Sequence, residues 1–179
     1  MALNPNPACV VFTTSGCDID DPFCVNCVTV DWVQWTFFGW LGVTFAVVFS
    51  NLGAAYGTAK AGIGIGSIAV TKPELVYKSL VPVVMAGILG IYGLIVSVVL
   101  ISKVTMAASN PYSQFKLMTS GICVGMSCVA AGYAIGIVGD AGVRSNAMNQ
   151  NMFVGMILMM IFAEAIALYG LIIAIIMSQ

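Results

Sequence analysis

Ile161-Phe162-Ala163-Glu164-Ala165-Ile166-Ala167-Leu168-Tyr169-Gly170 lies at the centre of an apolar run from about Met152 to Met177. At ~1.5 Å per residue, a run of that length crosses a ~30 Å hydrocarbon core as a single helix. Glu164 is the only acidic or basic residue in it and stands almost at its middle. An ionisable side chain at the bilayer centre costs at least ~2.5 kcal/mol even on the mildest insertion scales, so a function is expected of it. None of the chain's apolar segments holds a Lys, Arg or His that could neutralise it. A carboxyl in lipid without a cation keeps its proton, and ionises only where water or a fixed positive charge reaches it. That is the behaviour of a carrier of single protons. The alternative is a structural glutamate bonded to a neighbouring helix.

The composition fits this setting. Of 179 residues, 60% are hydrophobic and 7% charged, with no His, and the mean hydropathy is +1.04. Soluble domains carry about 25% charged residues, so an integral membrane protein lying in the lipid bilayer is expected. A net charge of -1 with no basic patch gives nucleic acid nothing to bind. Without His, the commonest metal ligand and general base are missing, and with them the usual catalytic triads. There is no Gly-Lys dipeptide and hence no Walker A phosphate loop; if ATP is involved, another chain must bind it. No cofactor and no metal site are expected.

Four further apolar and polar stretches complete the layout. Residues 1–31 form a Pro-, Asp- and Cys-bearing arm with Cys9, Cys17, Cys24 and Cys27. The Cys24-Val-Asn-Cys27 spacing is weak as a zinc or redox motif on its own, and one or two disulfides are expected if the arm faces an oxidising lumen. The arm has neither a basic n-region nor an unbroken apolar stretch, so the first membrane helix is expected to act as its own insertion signal. Cys123 and Cys128 fall inside an apolar segment and read as small packing residues.

The first span runs from Trp32 to about Thr58, opened by Trp32, Trp35 and Trp40 at the depth of an aromatic belt. The second runs from about Ser79 to Ile101, the third from about Leu117 to Gly139, and Glu164 marks the fourth. Ser102 to Lys116, with Asn110-Pro111, reads as a turn. Lys60, Lys72, Lys78 and Arg144 gather at the exits of spans one and three, against Lys103 and Lys116 on the other face. The positive-inside rule then puts those exits in the cytoplasm and both termini in the lumen or outside. Glu74 with Lys78 and Asp140 with Arg144 are i,i+4 pairs with the acid first, so the helices are expected to outrun the lipid on that side. Only short connections then remain near Lys72-Pro73 and Asn149, with Pro73 suited to a first helical position.

The chain also repeats itself. At an offset of 77, Tyr56 matches Tyr133, Gly62 matches Gly139, Ala86 matches Ala163, and Tyr92-Gly-Leu-Ile95 matches Tyr169-Gly-Leu-Ile172. The expectation is an all-α membrane protein of two duplicated hairpins, 32–103 and 104–179, each crossing twice and so sharing one orientation. At this offset Glu164 falls on Gly87, so one hairpin carries the mid-span acid and the other has lost it. Gly53-x-x-x-Gly57, Gly62-x-x-x-Gly66, Gly121-x-x-x-Gly125 and Gly132-x-x-x-Gly136 all lie on the first helix of a hairpin, where they allow close backbone packing. Such helices suit an inner ring, with their Ile-, Leu-, Val- and Met-rich partners toward lipid.

From about residue 36 to its end, the sequence resembles the c-type proteolipid of the eukaryotic vacuolar-type proton ATPase. The strings that carry the resemblance are Leu52-Gly-Ala-Ala-Tyr-Gly-Thr-Ala-Lys60, Pro73-Glu74, Val81-Pro-Val-Val-Met-Ala-Gly-Ile88, Gly132-Tyr-Ala-Ile-Gly-Ile-Val-Gly-Asp140 and Phe153 to Gly170. The resemblance implies a ring of proteolipid copies in the membrane of a vacuole or other endomembrane. It also implies a stator subunit whose membrane arginine faces that ring, and central-stalk subunits at the cytoplasmic loops. It maps the proton-carrying glutamate onto Glu164. Members that keep the acid in an earlier helix would hold it at Gly87, so this chain resembles the plain c type. The 31-residue arm departs from the family's short N-terminus. With few oxygen-bearing side chains near Glu164 beyond Ser97, Tyr92 and Tyr169, the ion is expected to be H+ and not Na+. Ser50, Asn51 and Ser127, near mid-depth, are candidates to hydrogen-bond the acid, with helix packing as their other role. The competing class is a structural or channel-forming four-span protein; a proteolipid of an F-type synthase is disfavoured, since those chains usually hold one hairpin.

Overall fold

The computed structural model describes residues 32–106 and 111–179; Cys9, Cys17, Cys24 and Cys27 lie outside them. Its elements are all helical: α1 (Trp32–Ala69), a 3-10 turn (Pro73–Leu75) leading into the single turn α2 (Val76–Ser79), α3 (Val81–Met106), α4 (Pro111–Met148) and α5 (Met152–Ser178). Among the described residues, four helical stretches are long and apolar enough to cross a membrane. The protein is an integral membrane protein of two hairpins, α1 with α3 and α4 with α5. Crossing as helices lets every backbone N–H and C=O be satisfied within its own segment, which lipid demands.

The glycines set which helices lie closest. α1 packs more extensively on α4 than on any other element. A methyl group on Gly132 would strike the carbonyl of Gly53, one on Gly121 that of Gly42, and one on Gly53 that of Cys128. Side chains are absent there because backbones occupy the space. Three of the four Gly-x-x-x-Gly pairs are used in this way, whereas nothing stands within 4 Å of a methyl built on Gly62 or Gly66. The duplication is visible in the packing. Gly93 is pressed against Ser50 and the Ala46 carbonyl, and Gly170 against Ser127 and the Cys123 carbonyl, each residue 77 positions after its counterpart. Leu89, Val96, Leu100, Val124, Ile135 and Met160 fill the seam between the four long helices. Cys128 is buried and Cys123 half-buried, both as free thiols that pack. Large apolar side chains such as Val154, Phe162 and Ile176 face outward, as a lipid-bathed surface requires.

On the side carrying Lys60, Lys72 and Arg144, the helices do run long and the connections are short. α1 continues to Ala69 and α4 to Met148, leaving three residues before each next element. Lys72 Nζ donates to the Ala147 carbonyl at 2.8 Å, tying the two connections together. Asn149 Oδ1 accepts from the Asn151 N–H at 3.1 Å, which closes the second. Arg144 Nε meets Asp140 Oδ1 at 2.8 Å, one of the two expected pairs. The other does not form. Pro73 stands at the first position of a 3-10 turn that holds Glu74, so the backbone between Glu74 and Lys78 is not the continuous α-helix that an i,i+4 pair needs. The expected turn from Ser102 to Lys116 is also narrower than its polarity suggests. α3 continues to Met106 and α4 opens at Pro111, whose missing N–H costs nothing at a first helical position.

Candidate functional site

α3 and α5 lie side by side, and two side chains about midway along them meet. Tyr92 Oη donates to Glu164 Oε1 at 2.6 Å. The helical period explains the orientation of the acid. Met160, Ala163, Glu164 and Ala167 share the buried face of α5, while Ile161, Phe162, Leu168 and Tyr169 face out. Ala163 and Ala167, one on each side of the acid along that face, are small enough to let the neighbouring helices come close. In this conformation, therefore, Glu164 does not face lipid: 9% of it is exposed, and its carboxyl is turned toward α3.

The electrostatic setting is spare. Among the described residues the single ion pair is Asp140 with Arg144, so no cation accompanies Glu164 inside the bundle. A tyrosine hydroxyl can serve both forms of the acid. It donates to the carbonyl oxygen of a neutral carboxyl and more strongly to a carboxylate. Holding one oxygen by a neutral donor keeps the group folded in without fixing its charge. Exposing it where water can replace the lost hydrogen bond costs ~0.5–1.5 kcal/mol, whereas exposing it to lipid costs several times more. A step of that size is small enough for the side chain to be drawn out by an outside cation or by water.

The other candidates do not reach the acid. Ser50 Oγ donates to the Ala46 carbonyl at 2.5 Å, Ser127 Oγ to that of Val124 at 2.9 Å, and Ser97 Oγ to that of Leu94 at 2.7 Å. Each hydroxyl satisfies itself on its own helix, which is how isolated hydroxyls survive in an apolar interior. Asn51 is exposed. Tyr169, the repeat counterpart of Tyr92, is 65% exposed and turned away. The tyrosine that holds the acid is thus the one on the other hairpin. A hint lay in the sequence: Tyr92 follows Gly87, the counterpart of Glu164, by the same five positions that separate Glu164 from Tyr169. What the sequence lacked was the tertiary step that brings hairpin 1's tyrosine to hairpin 2's acid.

Comparison with known proteins gives two findings. The family model for the ATP synthase C subunit matches the chain twice, over residues 41–100 and 118–177, two segments that begin 77 positions apart. The chain is 54% identical over 143 residues to the 16 kDa proteolipid c of the V-type proton ATPase of Rattus norvegicus, covering 80% of the chain and 92% of the relative. A protein of the same name from Nephrops norvegicus is 56% identical over 140 residues, covering 78% of the chain and 88% of the relative. One from Ascaris suum is 52% identical over 144 residues, with 79% and 89% covered.

Proposed function

The chain belongs to the ATP synthase C-subunit family and, within it, to the c-type proteolipids of V-type proton ATPases, and from that premise we propose that Glu164 is the group on which it carries protons. The protein is a non-hydrolytic, membrane-embedded subunit of the proton pump, assembling with other c-type copies into a rotor ring. What supports Glu164 as carrier is that it is an acid at mid-span without a counter-charge: its partner is the neutral Tyr92 hydroxyl, and among the described residues no cation accompanies it.

The mechanism follows from what each residue can do. While a copy travels through lipid, Glu164 stays folded against α3 as the neutral acid, its Oε1 accepting from Tyr92. Opposite the stator, a fixed arginine and water provide what the bundle lacks, and the side chain swings out and releases its proton to the lumenal side. As carboxylate it passes the arginine, takes a proton from the cytoplasmic side, and returns to Tyr92. Ionisation is confined to the one place where a cation offsets its cost. Central-stalk subunits meet the ring at the connections near Lys72 and Asn149, where the helices outrun the membrane. The termini face the lumen of the vacuole or a related compartment.

One acid for two hairpins suits acidification. Each pH unit opposes transfer by ~1.4 kcal/mol per proton, so a ring with fewer carriers per turn can sustain a steeper gradient from the same hydrolysis energy. The reading is tested by reacting the assembled complex with a hydrophobic carbodiimide, which attacks protonated carboxyls, and mapping the adduct by mass spectrometry. We expect labelling at Glu164, faster at low pH. An adduct confined to Glu74 or Asp140 contradicts the assignment.

A further inference from the structure

At the end of the bundle that carries the short connections, a cleft of about 330 Å³ lies between the two hairpins. Hairpin 1 lines it with Leu75 and Lys78, and hairpin 2 with Asn146, Gln150, Asn151 and Val154. Asn146 is 1% exposed, and its Oδ1 is buried without a hydrogen-bond partner. An acceptor left unpaired away from water costs more than a made bond returns, so this oxygen needs a donor. Lys78 is exposed and makes no ion pair, because the 3-10 turn at Pro73 breaks its helical spacing from Glu74. The 27-residue α5 starts at the wall of the same cleft. Its first turn holds no acidic residue and Asn151, at its N-cap, makes no capping bond, so the positive end of the helix is unopposed there.

These groups specify a ligand between them. Positive charge with no acid in the lining selects an anion, and the Asn146 acceptor selects one that also donates. A phosphate ester bearing hydroxyls meets both demands. Its phosphate oxygens can accept from Lys78 Nζ and from the amides of Gln150 and Asn151, while a hydroxyl donates to Asn146 Oδ1. The position of the cleft argues for the source. α3 begins at Val81 and α5 at Met152, so the cleft stands where the outer apolar helices meet the headgroup layer. Val154, on its wall, is 73% exposed, so the cleft opens onto the outward apolar surface along which acyl chains run.

We propose that this cleft binds the hydroxyl-bearing phosphate headgroup of a membrane lipid, held between the hairpins by Lys78 and Asn146. Such a lipid joins the halves on the side where Lys72 already ties the two connections. The site lies within one chain and does not depend on the role of Glu164.

The test is labelling of lysines by an amine-reactive ester in the complete complex held in lipid nanodiscs, read residue by residue by mass spectrometry. Replacing part of a phosphatidylcholine bilayer with phosphatidylinositol keeps the phosphate and adds hydroxyls. Labelling of Lys78 should slow about fivefold or more, and that of Lys72 less than twofold. Asn146→Leu should then need about fivefold more phosphatidylinositol for the same protection. Inositol 1-phosphate added to phosphatidylcholine nanodiscs separates the sources: protection as strong as the lipid's assigns the cleft to a free phosphate ester and overturns the lipid. Slowing shared equally by Lys72 reports a charged surface alone, and an unchanged Lys78 leaves the cleft to water; either result overturns the site. Should Asn146→Leu fail to assemble, the exposed Lys78→Ala decides. Phosphatidylinositol retained by the detergent-extracted complex should fall by about one lipid per chain, with phosphatidylcholine unchanged, and equal retention overturns the proposal.

Discussion

Hairpin 1 and hairpin 2 share a sequence pattern, a packing register and a pair of tyrosines, yet only hairpin 2 holds an acid at mid-span. Gly87 faces open space, and Glu164, its counterpart, is buried against Tyr92. The difference shows that the scaffold and the chemistry are separable: the duplicated hairpin is a packing solution, and one substitution on it decides whether a proton is carried. It also gives the two tyrosines different work. Tyr92 holds the acid of its own chain, and Tyr169 is turned outward.

The largest effect is expected where the two hairpins meet. Gly132→Val would put a branched side chain into the Gly53 backbone, with no flexible neighbour to give way. We expect no assembled ring, seen as loss of the large species in native mass measurement. Gly62→Ala, in open space within the chain, should leave the hairpin pair folded. If both variants assemble equally well, glycine-mediated contact is not what joins the halves.

Next comes the contrast between the tyrosines. Tyr92→Phe removes a bond worth ~1 kcal/mol, which releases Glu164 to the outside about fivefold more often. Carbodiimide labelling should quicken by about that factor, whereas Tyr169→Phe should change it less than twofold. Equal responses would erase the distinction between the hairpins. The smallest effect is expected at Lys72→Ala, which loses an exposed bond to the Ala147 carbonyl. Stability in detergent should fall by less than about 1 kcal/mol, read as a small drop in Tm, with pumping intact.

The sequence made some of this legible and hid the rest for identifiable reasons. Span count, the long helices on one side and the short connections follow from hydropathy and from where charges begin, because lipid leaves the backbone little choice. The isolated Glu164 stood out for the same reason. Its partner did not, since Tyr92 lies on another hairpin and its selection over Tyr169 depends on how the halves dock. The inward turn of the acid was hidden too, because a residue at mid-span can face lipid or a neighbour and only packing decides. The missing Glu74 to Lys78 pair reflects local geometry: Pro73 permits a 3-10 turn, and spacing arguments for an α-helix then fail. Polar residues around Ser102 and Lys116 suggested a loop, but a helix leaving lipid keeps its own hydrogen bonds and continues into water.

The role of Glu164 is tested most directly by ATP-driven acidification of vesicles containing the complete complex with Glu164→Gln. Glutamine preserves the size of the side chain and can still accept from Tyr92, so the ring should assemble at full mass. No acidification at all is then expected, because an amide cannot take up and release a proton. Acidification at the wild-type rate by such rings would show that the protons travel on some other group.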